Sequence, residues 1–182
     1  MGNKIKNKIY AFIDSQNLNL GTSKSFTKKS IKYNGWKLDF QKFNQYLKTK
    51  YNVHKTFLFI GYIEQNKNLY NNLERWGYTL IFKPTVIQHG ETKGNTDSDL
   101  VLQSMIEYKN YSKAIIIAGD GDYLCLINYL DQKNKLFKIF IPNQYSYSSL
   151  LKKFSKYFVY VTNLQKSLEY KKKTGICVRS KP

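Results

Sequence analysis

Only 12 acidic residues stand against 30 Lys and Arg in this chain of 182, so the places the acids occupy carry information. Asp14 directly follows a short apolar run, residues 9–13. Asp120 and Asp122 follow a second, residues 114–118, in the segment Gly119-Asp120-Gly121-Asp122. Carboxylates brought within about 5 Å of one another repel by roughly 3 kcal/mol at an effective dielectric near 20, so a shared site needs a cation. With carboxylates and water as ligands and no His or Cys close by in sequence, Mg²⁺ or Mn²⁺ is the natural choice. A fourth acid comes from Lys93-Gly94-Asn95-Thr96-Asp97-Ser98-Asp99. At about 100° per residue, the apolar face of Leu100, Val101, Met105 and Tyr108 lies nearer Asp97 than Asp99. Asp97 is therefore expected to face the site, and Asp99 to pair with Thr96 at the helix start. Asn17, three residues after Asp14, is placed to orient a carboxylate or a water. The competing reading is that Asp, Asn and Gly at such places only make turns and caps.

The elements that must position these groups can be read from periodicity. Residues 114–118 are too few for a helix and rich in β-branched side chains, as in a strand buried on both faces of a parallel sheet. Residues 9–13, 53–63, 78–83, 136–141 and 158–161 are the other predicted strands. Helical spacing is expected over 39–50, 66–76, 97–108, 123–132, 148–156 and 164–173. Residues 15–35 read as a loop with at most one short helical turn, and 85–95 as a second loop. Alternating strands and helices predict a single α/β domain, a three-layer α/β/α sandwich around a mostly parallel sheet. It should span residues 1–173, with 174–182 as a loose tail. Asp14, Asp120 and Asp122 would then meet at the carboxyl edge of neighbouring strands, where open α/β sheets bind ligands.

Composition narrows the partners. A formal net charge of +18 points to a polyanion, either nucleic acid or an anionic membrane surface. The 16 Tyr and 11 Phe include candidate platforms for bases. No apolar run approaches the roughly 18 residues of a membrane span. The basic start is followed by too short an apolar stretch to act as a signal peptide. Cys125 and Cys177 suggest neither a disulfide framework nor a zinc site, which fits a reducing cytoplasm. A two-histidine site from His54 and His89 is disfavoured, one starting a strand and the other lying in a loop.

Three ordered blocks carry a resemblance. Phe12-Ile13-Asp14-Ser15-Gln16-Asn17 follows the first strand, Lys93-Gly94-Asn95-Thr96-Asp97 opens a helix, and Ala118-Gly119-Asp120-Gly121-Asp122-Tyr123 follows the central strand. Pro142-Asn143 and Ser148-Ser149-Leu150-Leu151 match a later segment. Together they resemble an NYN domain of the LabA-like branch of the PIN-like nuclease superfamily. The resemblance implies a PIN-like, Rossmann-like sandwich and Mg²⁺- or Mn²⁺-dependent hydrolysis of RNA; whether DNA is also cut is left open by the sequence. It also implies products with 5′-phosphate and 3′-hydroxyl ends, in RNA processing or decay. Asp14, Asp97, Asp120 and Asp122 fall on its acidic pattern, with Asn17 in support, and none of the five departs from it. Lys93, Asn143, Ser148, Lys152 and Lys153 are candidate contacts to nucleic acid. Lys93 reads equally as a solvated loop lysine, and Ser148 as a helix cap. Tyr145, Tyr147 and Lys156 are interleaved with these, and Lys171-Lys172-Lys173 is a further phosphate-contact candidate.

The alternative is a non-catalytic RNA-binding module on the same fold. A phosphatase of the haloacid dehalogenase type needs a second Asp two residues after the first, where Gln16 stands. No G-x-G-x-x-G follows the first strand, which disfavours a dinucleotide enzyme. The sequence leaves monomer and homodimer equally open.

Overall fold

The computed structural model describes residues 7–28, 30–83, 86–88, 91–93 and 96–172, with the side chains of 28, 86–88, 91–93, 96 and 97 excepted. In chain order, β1 (Ile9–Asp14) runs into α1 (Ser15–Ser23), then the hairpin β2 (Phe26–Lys28) and β3 (Ile31–Tyr33). α2 (Phe40–Tyr51) is capped by Asp39, which accepts from Lys42 N at 3.1 Å, and it ends at Asn52 in the left-handed region. β4 (Val53–Gly61), α3 (Lys67–Arg75) and β5 (Tyr78–Lys83) follow, with Gly77 supplying the positive φ of 88° between the last two. A hairpin of β6 (Val86–Gln88) and β7 (Glu91–Lys93) precedes α4 (Thr96–Ile106). β8 (Lys113–Ile117), a 3₁₀ turn at Gly121–Tyr123, α5 (Leu124–Gln132) and β9 (Leu136–Ile141) come next. A 3₁₀ stretch at Ser149–Tyr157, β10 (Phe158–Tyr160) and α6 (Gln165–Leu168) complete it.

Six strands form one sheet in the order β10-β9-β8-β1-β4-β5, with every pairing parallel. Strand alternation divides the core. Tyr10, Phe12, Phe57, Phe59 and Ile116 face the layer of α4 and α5, against Leu100, Leu126 and Leu130. Ala11, Ile13, Leu58, Ile115 and Ile117 face the other layer, against Leu18, Phe43, Leu47, Leu73 and Leu168. The two middle strands are buried on both faces, which is why their sequences are unbroken apolar runs. The expected α/β/α sandwich is the fold observed.

The order of strands places the site. After β1 the chain crosses to β4 on one side, whereas after β8 it crosses to β9 on the other. The two crossovers part between β1 and β8, leaving a crevice beyond their carboxyl ends, at the topological switch point where α/β sheets bind ligands. Ile13 pairs with Ile117, so Asp14 and the Gly119–Asp122 segment emerge side by side.

Four expectations need correction. Residues 15–35 are α1 plus the β2–β3 hairpin, because the Asp14 carboxylate caps a helix whose apolar side is little more than Leu18. Such a polar helix has almost no periodicity to read. Within the loop expected over 85–95, Val86–Gln88 and Glu91–Lys93 pair as two antiparallel strands. Residues 149–157 are 3₁₀ rather than α, and the helix expected over 164–173 is the short α6, after which Glu169 bridges to Leu38. The proposed tail 174–182, His89 and Cys177 lie outside the described residues. Among the described residues, no helix is long and apolar enough to cross a membrane.

Candidate active site

Asp14 is the most deeply set of the expected acids, 5% exposed at the end of β1. Its Oδ1 accepts from Gln16 N and Asn17 N, each at 3.0 Å, capping α1. Its Oδ2 accepts from the hydroxyl of Tyr123 at 2.8 Å. A carboxylate offers about four lone-pair positions. Three are used, and the fourth is on Oδ2. Tyr123, fully buried in the 3₁₀ turn after β8, thus links the turn carrying Asp120 and Asp122 to the end of β1. Sequence reading missed this tyrosine. The signal was a Tyr with a hydroxyl to satisfy, directly after a segment of two aspartates.

The Gly119–Asp122 segment is held from two sides. Gly119 N donates to Asn17 Oδ1 at 2.7 Å, and Ser148 N donates to Gly119 O at 2.8 Å. Asn17 therefore positions the loop after β8, a role that leaves its amide N–H groups pointing away from that bond. Close approach explains the glycines. A Cβ at Gly121 would lie 2.6 Å from Ser148 Oγ and 3.1 Å from Leu150 Cδ1. Asp120 and Asp122 are both exposed. Asp120 Oδ1 accepts from Asp122 N at 3.3 Å, an Asx turn that fixes the direction of the carboxylate.

α4 packs against β1, β4 and the turn at Gly121–Tyr123, with Leu100 fully buried. Asp97 stands in its first turn, but its side chain lies outside the described residues, as does that of Lys93. The choice of Asp97 over Asp99 therefore rests on the helix face alone; Asp99 is half-buried. His54 starts β4 at the opposite end of the sheet from Asp14, where its Nδ1 accepts from Ile9 N at 3.4 Å. Lys83, 5% exposed at the end of β5, is a buried cation on the same edge as Asp14.

The late segment closes the crevice. Asn143 is 2% exposed; its Nδ2 donates to Gly21 O at 3.0 Å and its Oδ1 accepts from Tyr145 N at 2.9 Å. This side chain is committed to tying the loop after β9 to α1. Ser148 stands at the start of the 3₁₀ stretch but makes no side-chain cap bond there. Lys152 and Lys153 are exposed on that stretch, Lys153 Nζ lying 5.1 Å from the centroid of the Phe154 ring. A cavity of about 470 Å³ opens over Asp120, lined by Asn17, Gly119, Tyr145, Ser146, Tyr147 and Ser148.

The donor chemistry at this edge suits a hard divalent cation: carboxylate oxygens from neighbouring strands, one in solvent and one with a lone pair to spare. Among the described residues no three His, Cys, Asp or Glu side chains form a cluster able to hold an ion. A third carboxylate would come from the start of α4.

Comparison with known proteins places the fold. The sequence profile of the NYN domain matches residues 8–167. A crystal structure of a protein of unknown function from Vibrio parahaemolyticus superposes with a TM-score of 0.66 at 21% identity, covering 88% of this chain and 96% of that one. At that identity the likeness is one of fold. No curated protein matches the chain in sequence.

Proposed function

The chain belongs to the NYN domain family, within the PIN-like nuclease superfamily, and on that premise we propose that it is a divalent-metal-dependent ribonuclease. The observation that carries the reading is that Asp14 ends β1 and Asp120 follows the neighbouring β8 at the topological switch point, the two segments joined by the Asn17–Gly119 and Tyr123–Asp14 bonds. Asp14, Asp97 and Asp120 would hold Mg²⁺ or Mn²⁺, with Asp122 beside them. When bound, the ion supplies charge neutralisation at the scissile phosphate and acidifies an attacking water.

The rest of the work falls to the chain. Asp14 is held in one orientation by two backbone N–H groups and the Tyr123 hydroxyl, so its free lone pair does not wander. Asp120 is aimed by its Asx turn, and Asn17 and Ser148 keep its loop against α1 and the late segment. Exposed Lys152 and Lys153 and the net charge of +18 draw the polyanion toward this edge. RNA is favoured as the substrate by the family; a role in processing or decay follows the same reading.

The test is cleavage of a labelled RNA by wild type and Asp120→Asn, each with Mg²⁺, Mn²⁺ or chelator. Cutting by wild type that is lost in Asp120→Asn and in chelator, with RNA binding retained, is the expected result. Equal cutting by both proteins would assign the activity to a contaminant. Binding without cutting under every condition would make the chain an RNA-binding module.

A further inference from the structure

A second, larger cavity of about 580 Å³ adjoins the one over Asp120, and the two share Asn17, Tyr145 and Ser146. One side is formed by Leu20, Gly21 and Lys24 of α1 and its end, with Phe26 and Thr27 of β2; the other is the loop after β9. Two large apolar groups in this wall are left half in solvent, Leu20 at 51% and Tyr145 at 46%. Lys24 stands exposed beside them.

The walls are preformed. Phe26, Tyr33 and Tyr145 form an aromatic trio, with centroids 5.5 Å apart for Phe26–Tyr33 and 6.2 Å for each pair with Tyr145. The Tyr33 hydroxyl donates to Thr22 O at 2.8 Å, and Trp36 N donates to the same carbonyl at 2.9 Å, fastening the hairpin to α1. Opposite, Asn143 fastens the Tyr145 loop to Gly21. Gly21 is required here, since a Cβ would lie 2.5 Å from Pro142 Cβ. A cavity built this way is ordered before a ligand arrives, which spares the cost of ordering it on binding.

We propose that this cavity is a base pocket, holding one unstacked nucleobase of a single-stranded RNA against Tyr145 and Phe26, with Lys24 beside the adjoining phosphate. The proposal rests on the ribonuclease reading, because continuity with the Asp120 cavity is what makes the strand pass from one to the other. The volume lies within the about 300–1,000 Å³ of small-ligand pockets. Half-exposed rings next to a lysine match single-stranded recognition, in which bases stack on aromatic side chains while cations track the backbone. A duplex keeps its bases stacked and cannot supply one, so the pocket selects single strands and loops. Thr27, Ser146 and the Asn17 amide line it with groups that can bond a base edge or a ribose.

The experiment measures binding in chelator, where no cutting occurs. A short labelled single-stranded RNA is titrated with wild type and Tyr145→Ala, and again with an abasic site moved one position at a time. Tyr145→Ala should bind about 5- to 100-fold more weakly. One abasic position should weaken wild type by a similar factor and leave Tyr145→Ala unchanged. Tyr145→Phe, which keeps the ring, should bind like wild type. If Tyr145→Ala fails to fold, Leu20→Glu at an exposed position takes its place, with the same loss and the same insensitivity to the abasic site expected. Wild-type affinity in either folded variant, no RNA binding by wild type, or losses independent of the abasic position would each overturn the pocket. Failure to cleave RNA with the abasic step intact would instead remove the ribonuclease reading and leave the pocket standing.

Discussion

Replacing Tyr123 by Phe removes a single hydroxyl from the buried link between the two walls of the crevice. The ring stays, so no cavity opens, and the loss includes the 2.8 Å bond to Asp14 Oδ2. Hydrogen bonds to charged groups contribute about 1.5–3 kcal/mol, so a destabilisation of about 2 kcal/mol is expected. In a chain of this size that lowers the melting temperature by about 4–8 °C. In an Asp14→Asn background the side-chain oxygen can still cap α1 while its amide N–H meets the hydroxyl, which then accepts. The charge-assisted part of the bond is gone, and Tyr123→Phe should cost about 1 kcal/mol or less there. Urea unfolding of the four proteins, followed by circular dichroism, gives the coupling directly. The expected coupling is about 1 kcal/mol or more. Equal costs in the two backgrounds would refute the claim that Tyr123 holds the Asp14 carboxylate.

Asn17→Ala leaves the N–H of buried Gly119 without its acceptor and should destabilise by about 1–3 kcal/mol, while lowering RNA cleavage more than RNA binding. Gly21→Ala drives a Cβ to 2.5 Å from the rigid Pro142 ring and should cost about 1–3 kcal/mol in thermal melts. Burial raises Tyr10, Tyr33, Tyr51, Tyr78, Tyr108, Tyr111 and Tyr160, Tyr51 to about 12. These groups hold their protons more tightly folded than unfolded, so their stabilisation is complete below pH 10 and is lost as pH climbs through the raised values. Burial lowers Lys135, which acts oppositely, adding stability as pH rises toward 10.5, but it is one group against seven. The tyrosinate absorbance of these seven should therefore appear in a cooperative step above pH 10 together with loss of circular dichroism; their ionisation in a smooth titration with the structure intact would contradict this. RNA binding should weaken with salt, with a slope of log K against log salt of about −0.7 per phosphate contacted.

Much of this fold was written in local pattern. The runs 9–13 and 114–118 are apolar without alternation because both faces of β1 and β8 are covered, and that also announced them as central strands. Residues 78–83 and 136–141 came out as the strands expected, each followed in sequence by a proline, Pro84 and Pro142. What stayed hidden depends on contacts distant in sequence. α1 exists because Asp14 caps it and Leu18 fills a gap beneath the sheet, and neither fact leaves a periodic trace. The bond from Tyr123 to Asp14 spans 109 positions and that from Gly119 to Asn17 spans 102, so no window of sequence contains them. Asn143 is a candidate contact to nucleic acid through the family resemblance; its burial against Gly21 could not be read from its neighbours. That Asp14 and Asp120 stand just past the ends of neighbouring strands was legible because both strands are unbroken apolar runs.

The most direct measurement is Mn²⁺ binding, followed by electron paramagnetic resonance of the free ion, for wild type, Asp14→Asn, Asp120→Asn and the exposed Glu64→Gln, whose carboxylate pairs with Lys67. Expected are saturable binding by wild type and Glu64→Gln, and affinity weakened by about 10-fold or more in each aspartate variant. Equal binding by all four proteins would contradict a cation site between β1 and β8.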